Sequence, residues 1–120
     1  MKDEVKRFVK ESMGRSQEVT SALNDLGGLE PDMALRTPDG MVLVSIERRA
    51  DLTAIARLGL AARLLEGGEE RVVPVMAAKS CSDQVKDIAR RAGIRTLVIP
   101  RSVPLEEGKV GRGTSTVRLT

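Results

Sequence analysis

The chain has 120 residues, and 20 Lys and Arg against 17 Asp and Glu leave a net charge of +3. This length suits one compact domain, and a composition that is 41% hydrophobic and 31% charged is typical of a folded globular protein. The absence of His and the single cysteine, Cys81, exclude His-based metal sites and nucleophile pairs, an internal disulfide and a Cys-based zinc site. One aromatic residue, Phe8, is too few for the aromatic platforms that bind single-stranded nucleic acid.

The sequence carries no sign of export or membrane insertion. No apolar run approaches the roughly 18 residues of a membrane span, and the first residues lack the apolar core of a signal peptide. A lone cysteine also fits a reducing compartment. We therefore expect a cytoplasmic protein with no membrane partner.

The first quarter of the chain predicts helix. Val5, Phe8 and Val9 recur at helical spacing among charges, and a similar apolar stripe continues from Val19 to Leu26. We expect one bent helix or two short ones, ending at the glycine pair 27–28.

The next segment predicts a β-hairpin. The turn Pro38-Asp39-Gly40 lies between two extended apolar runs, residues 31–37 and 41–49. Side chains alternate along a strand, so Glu47 and Arg49 are expected on one face of the second run.

The second half of the chain alternates helix and strand. Asp51 is placed to cap a helix over residues 52–66, and an apolar run at 71–77 predicts a buried strand. Pro74 within that run predicts a bent strand or a position near a sheet edge. Ser82 or Asp83 can cap a further helix that ends at the glycine at position 93.

A last strand is predicted at residues 95–100. Strand–helix–strand alternation calls for parallel pairing, whereas the hairpin is antiparallel, so the fold class is α/β with a mixed central sheet flanked by helices. We expect one domain over residues 1–100 and a C-terminal tail over 101–120, with a candidate short strand at 114–119.

The hairpin carries the one constellation that suggests chemistry. Asp32 stands at the start of its first strand, and Glu47 and Arg49 near the end of its second, so strand pairing brings them to the same end of the sheet. Two carboxylates that converge there can hold Mg²⁺, which prefers oxygen ligands. Such a metal generates hydroxide and stabilises charge on a phosphate. Taken alone, each of these residues is more often an ordinary solvated side chain.

This pattern resembles the PD-(D/E)XK, or restriction endonuclease-like, nuclease superfamily, and is similar in particular to the catalytic domain of the EndoMS/NucS mismatch endonucleases. Pro31-Asp32 and, fifteen residues on, Glu47-Arg48-Arg49 stand where that superfamily has its proline-aspartate and its Glu-x-Lys. The helix–strand–helix–strand order after the motif matches the superfamily core. The resemblance covers residues 16–100 and implies a Mg²⁺-dependent endonuclease that acts on DNA.

The resemblance also assigns roles to further residues. A helix before the hairpin can add a third metal-binding carboxylate, which here would be Glu18. The family's lysine, which helps to deprotonate the attacking water, is replaced by Arg49, and arginine stays charged at neutral pH. Arg57 stands near the position of a glutamine that some relatives carry on the next helix. These departures leave open whether catalysis is retained.

Basic residues give a second indication of a DNA partner. Arg supplies 14 of the 20 basic residues and is suited to forked contacts with phosphate. Arg48, Arg57 and Arg63, on or just after the hairpin, are the candidate nucleic-acid contacts. A solubilising surface explains them equally well, because acidic residues are interspersed. A homodimer would present paired sites to the two strands of a duplex.

Two other functions remain open. A catalytically inactive nuclease fold could bind nucleic acid or a protein partner. The order of helix, hairpin and helix also resembles the opening of Roadblock-type dimerisation domains. That family continues with a meander of strands, whereas this sequence predicts another helix at residues 82–93.

Overall fold

The computed structural model describes residues 3–20, 23, 26–66, 68 and 70–105. Within these residues, three α-helices and five strands follow in chain order: α1 (Asp3–Met13), β1 (Gln17–Glu18), β2 (Met33–Thr37), β3 (Gly40–Ala50), α2 (Leu52–Leu65), β4 (Val72–Cys81), α3 (Asp83–Arg91) and β5 (Arg95–Val98). The fold class predicted from the sequence is confirmed: one mixed sheet is flanked by helices. No helix in the described part of the chain is long and apolar enough to cross a membrane.

The sheet has the strand order β1-β2-β3-β4-β5. The first two pairings are antiparallel, and β4 and β5 add to β3 in parallel through the crossover helices α2 and α3. A Roadblock-type domain would continue with a meander of strands after α2, whereas this chain has the parallel β4-α3-β5 unit. The predicted order of hairpin, helix, strand, helix and strand is confirmed.

The core is aliphatic on both faces of the sheet. One face packs under α1, where Val5 and Val9 meet alternate residues of β2 and β3 such as Leu35 and Val44. The other face packs under α2 and α3 through the intervening residues, such as Leu43. Period-two alternation thus sends successive residues of β3 to opposite layers. Leu105 is buried on the α1 face, so the packed chain runs past residue 100.

Local capping sets where the two crossover helices begin. The carboxylate of Asp51 accepts a hydrogen bond from the backbone N–H of Ala54 at 2.8 Å, and the hydroxyl of Ser82 accepts one from Val85 at 3.2 Å. Each cap satisfies a backbone donor that the first helical turn leaves without a partner. The predicted cap of α2 is confirmed, and Ser82 rather than Asp83 caps α3.

The predicted continuation of the first helix was wrong at residues 17 and 18. The helix ends at Met13, Gly14 follows with φ of +79°, and Gln17–Glu18 pairs with β2 as a short edge strand. The apolar stripe that suggested helix reflects burial of Leu23 and Leu26 against the α2 face of the sheet. Residues 21, 22, 24 and 25 lie outside the described part of the chain.

Pro74 lies in an interior strand, not in an edge strand. It pairs in register with Leu43 of β3, but β5 begins to pair with β4 only at Val75. On the β5 side, the described sheet therefore has no strand opposite Pro74. A proline nitrogen, which cannot donate a hydrogen bond, is tolerated where the ladder has stopped.

The β2–β3 turn is fixed against the start of β4. Gly40 has φ of +130°, and a Cβ atom there would lie 2.4 Å from the carbonyl oxygen of Arg71. That carbonyl accepts a hydrogen bond from Met41 N–H at 2.7 Å. Arg36 also donates two hydrogen bonds of 2.9 Å to the carboxylate of Glu70. These contacts hold the hairpin that carries the candidate site residues at its other end.

We expect Gly40→Ala to lower the free energy of unfolding by about 2–3 kcal/mol, because it combines a strained φ with a backbone clash. Chemical denaturation measures this loss. Gly14→Ala is the control, since Gly14 has positive φ but open space around it, and should cost only about 1–2 kcal/mol. Equal losses for the two variants would show that the contact with Arg71 has no effect.

Candidate functional site

The candidate site lies at the open end of the β2–β3 hairpin, where β3 extends past the first residue of β2. Asp32, one residue before β2, donates its backbone N–H to the carbonyl of Val44 at 2.9 Å. Its carboxylate oxygen Oδ2 then accepts the backbone N–H of Ile46 at 2.6 Å. The side chain thus takes the place of a strand carbonyl and satisfies a backbone donor of β3 that lies beyond the first residue of β2. This bond fixes the Asp32 carboxylate against the edge of β3.

Asp32 and Glu47 line the same cleft, as the sequence predicted for this end of the hairpin. The cleft has a volume of about 290 Å³, and Ser45 of β3 lies on its wall as well. Ser45 and Glu47 follow Leu43 with a spacing of two, so all three face the α2 layer. Both carboxylate residues are half-buried.

The N-terminal part of α2 forms the opposite wall. Asp51, Thr53 and Arg57 line the cleft from this side. The guanidinium of Arg57 donates a hydrogen bond to the carbonyl of Gly28, in the 3-10 turn Gly27–Leu29 that precedes Asp32. Arg57 therefore joins the helix wall to the segment that leads into the site.

The cleft is rich in carboxylates, with Glu30 and Asp51 at its rim in addition to the central pair. Within the described residues, however, no three His, Cys, Asp or Glu side chains are grouped closely enough to hold one metal ion. Oxygen donors from two residues fit Mg²⁺, which is usually bound through one or two carboxylates and keeps several waters. Two carboxylates do not make a closed structural metal site. They suit a cation whose remaining ligands are water and a substrate phosphate.

Glu18, the predicted third carboxylate, is engaged elsewhere. It lies on β1 and not on a helix, and its carboxylate contacts Lys6 at 3.5 Å and Lys10 at 3.1 Å, both on α1. The hydrogen bond from Lys10, together with the two positive charges, holds the pKa of Glu18 below its ordinary value. The structure places Glu18 under α1, whereas Asp32 and Glu47 line a cleft beside α2.

The candidate arginines are spread over several surfaces. Arg49 is exposed two residues after Glu47 on the same strand, and Arg48 is exposed between them with its side chain on the α1 side. Arg57 lines the cleft, as described above. Arg63 is exposed near the end of α2 and is not among the cleft residues.

Sequence reasoning missed four polar residues of the cleft wall: Glu30, Ser45, Thr53 and Asp51, the last of which was predicted only as a helix cap. A local signal existed for two of them. Ser45 precedes Glu47 by two positions in a strand, and Thr53 precedes Arg57 by four in a helix, so each shares a face with a residue already singled out. Glu30 lies in an irregular segment, where no helix or strand periodicity could predict that its side chain faces the cleft.

Two solved structures are similar in fold to this chain. A repair endonuclease from Pyrococcus abyssi matches with a TM-score of 0.68 at 17% sequence identity, over 82% of this chain and 46% of that one. EndoMS in complex with double-stranded DNA matches with a TM-score of 0.63 at 20% identity, over 82% of this chain and 45% of that one. The chain thus spans less than half the length of either protein.

At these identities the comparisons show a shared fold. No protein-family model and no curated protein sequence matches the chain. The similarity to repair endonucleases agrees with the fold that the Pro31-Asp32 and Glu47 pattern implied.

We expect Glu18→Gln to lower the free energy of unfolding at pH 7 by about 0.5–1 kcal/mol, through loss of the contacts to Lys6 and Lys10. Because the pKa of Glu18 is lowered in the folded state, this stabilisation is present above the ordinary glutamate pKa of about 4.3 and is lost as the pH falls further. Denaturation at several pH values measures the difference. Glu11→Gln, on the exposed side of α1, is the control, and a Glu18→Gln difference that does not change with pH would contradict this assignment.

Proposed function

We propose that this chain is a nuclease-like domain that acts on DNA, with Mg²⁺ held between Asp32 and Glu47. The observation that carries the proposal is the shared cleft: two half-buried carboxylates on one face, at the end of a hairpin, in a fold similar to repair endonucleases. Both similar structures are more than twice as long as the part that this chain matches, so the choice of substrate is also part of the proposal.

Asp32 is held in position by the backbone of β3. Its bond to Ile46 N–H holds the carboxylate in place without a metal, so little side-chain entropy is lost when a cation binds. Glu47 would provide the second oxygen ligand from the neighbouring strand. The bound ion would supply an activated water and stabilise charge on the phosphate that is attacked.

The arginines would bind the DNA backbone around this pair. Arg49 is exposed at the end of β3 and Arg57 lies on the helix wall, whereas the exposed Arg48 would contact DNA from the α1 side of the sheet. Without a cation, the carboxylates that line the cleft would repel phosphate, so the metal and the arginines together make the cleft compatible with a nucleic acid. Binding to phosphates predicts weak sequence preference and strong dependence on salt.

A second candidate function is DNA binding without cleavage. It is favoured by Arg49, which stands two residues after Glu47 where the resembling nucleases have lysine. Arginine can hold a phosphate or a water molecule, but it does not lose its proton at neutral pH. On this alternative, the cleft would still recognise the phosphate backbone.

Cleavage of labelled plain, mismatched and branched duplex DNA with Mg²⁺ or Mn²⁺ tests the proposal. We expect Asp32→Asn and Glu47→Gln each to lower the rate by at least about 100-fold, because loss of a metal ligand removes several kcal/mol of transition-state stabilisation. Both substitutions keep the size of the side chain, and Asn can still accept the bond from Ile46.

Glu30→Gln is the matched control, because Glu30 lies on the rim of the same cleft. Cleavage that survives both ligand substitutions would overturn the proposal. Retention of the DNA in a salt-sensitive shift assay, with no cleavage under any condition, would favour the binding function instead.

A separate substitution tests the role of position 49. If arginine limits proton transfer, Arg49→Lys should raise the cleavage rate by about tenfold or more, because general acid–base groups contribute on the order of 100-fold. DNA affinity, measured in Ca²⁺ to prevent turnover, should change little, since the charge is kept. A lower rate in Arg49→Lys would show instead that the planar guanidinium is required.

A further inference from the structure

A second pocket, separate from the cleft, is bounded by α3, β4 and β5. It has a volume of about 250 Å³. Part of its wall is apolar and includes Met76 and Ala78 of β4, which belong to the core under α2 and α3. Two lysines and two hydroxyl residues also line it: Lys79, Ser80, Lys86 and Thr96. We call this space the α3 pocket.

The α3 pocket carries positive charge. Among the described residues, both lysines line it and no acidic residue does. The ammonium of Lys79 donates a hydrogen bond to the carbonyl of Arg101 at 3.0 Å, so it is held near the segment that follows β5 and keeps two further donors. The ammonium of Lys86 has no hydrogen bond or ion pair within the described part of the chain. The pocket therefore offers unused donors and charge to an anion.

The acidic residues of α3 do not neutralise this charge. Lys86 also borders a larger open hollow, together with Asp83 and Asp87. The carboxylate of Asp87 is bound by Arg90 and Arg91. Asp83 forms no ion pair with Lys86 in the part of the chain that the structure describes. Lys86 thus remains a cation that borders both spaces.

The α3 pocket lies beside the cleft on the same face of the sheet. In the parallel pairing of β3 with β4, Ala78 is the neighbour of Glu47, and Ser80 is the neighbour of Arg49. Val98 of β5 is in turn the neighbour of Ala78. Because adjacent strands lie about 4.8 Å apart, the β5 side of the pocket is about 10 Å from Glu47 along the sheet. Arg49 and Ser80 are exposed and connect the cleft to the pocket.

This spacing fits the phosphate backbone of DNA. One strand of a duplex carries a phosphate every ~3.4 Å along the helix axis, so a distance of about 10 Å corresponds to about three nucleotides. A strand whose reacting phosphate lies beside Asp32 and Glu47 would bring another phosphate to the α3 pocket. The exposed guanidinium of Arg49 lies on the path between these two positions.

We infer that the α3 pocket binds a backbone phosphate of the DNA, about three nucleotides to one side of the bond that is cleaved. Lys86 supplies the charge, and the hydroxyl of Ser80 donates a hydrogen bond. The inference rests on the proposed function and adds the direction in which the substrate leaves the cleft, across the C-terminal ends of β3, β4 and β5. Lys86 and Ser80 are binding residues, because neither touches the reacting atoms.

Binding of duplex DNA in Ca²⁺, which prevents turnover, tests the pocket over a range of salt concentrations. We expect Lys86→Gln to weaken binding about 3–10-fold at about 0.1 M salt. It should also reduce the slope of log affinity against log salt by about 0.9, because one counterion fewer is released. Lys86→Arg keeps the charge and should keep the slope. Ser80→Ala should weaken binding about twofold without a change of slope, since a hydroxyl releases no counterion.

Arg7→Gln is the matched control. It removes one positive charge from an exposed position of α1, on the opposite face of the sheet from the α3 pocket. We expect it to change neither the affinity nor the salt slope. Thermal melting should show that all the variants remain folded, because Arg7, Ser80 and Lys86 are exposed.

A methylphosphonate scan locates the contact, because each substitution removes the charge of one phosphate. One position, about three nucleotides from the cleaved bond, should weaken binding by the wild-type chain and by Arg7→Gln. The same substitution should have no effect on Lys86→Gln, which has already lost that contact. An equal loss in all three chains would overturn the assignment of this phosphate to Lys86.

The remaining outcomes separate this inference from the proposed function. If Asp32→Asn abolishes cleavage but Lys86→Gln binds DNA as Arg7→Gln does, the α3 pocket has no part in binding and the proposed function stands. A wild-type chain that binds no DNA in Ca²⁺ would overturn both. If inorganic phosphate shifts the amide NMR signals of Ser80 and Thr96, and DNA affinity does not depend on Lys86, the pocket binds free phosphate and the DNA contact is wrong.

Discussion

The hydrogen bond from Ile46 N–H to the Asp32 carboxylate is the constraint on which the candidate site depends. The strand β3 needs an acceptor where β2 is absent, and the side chain of Asp32 provides it at 2.6 Å. One bond therefore closes the backbone ladder and fixes a carboxylate beside Glu47. The secondary structure of β3 thus holds the Asp32 carboxylate in place in the absence of a metal.

The layers around the sheet explain why the site can tolerate its charges. The buried core consists of aliphatic side chains and methionines, and within the described residues no charged side chain is fully buried. The carboxylates of the cleft thus remain half-buried or exposed, where water can solvate them. On the other face of the sheet, the ion pairs of Glu18 are also only partly buried. They attach α1 to the edge strand β1 at a position that water can reach. Charge is confined to the borders of the fold.

Much of the fold could be predicted because its signals are local. The hairpin follows from period-two alternation around Pro38-Asp39-Gly40, and the helix caps follow from single polar residues before apolar runs. The strand β1 could not be predicted, since two residues carry no periodicity and the stripe from Val19 imitates helix. Glu18 was misplaced for the same reason. The pairing of Asp32 with Glu47 followed from the hairpin, but the wall formed by α2 depends on tertiary packing, which no local pattern records.

The hairpin that joins β2 to β3 also bears on the order in which the chain folds. Asp32 and Ile46 are 14 residues apart, whereas Met41 of β3 pairs with Val72 of β4, 31 positions later. Closing a short loop costs less conformational entropy than closing a long one, so local pairings form readily while parallel crossovers are slow. We expect the two carboxylates to meet early, before the parallel half of the sheet is complete. The chemistry of the cleft would then be assembled within a local folding unit, and the later strands would serve to stabilise it.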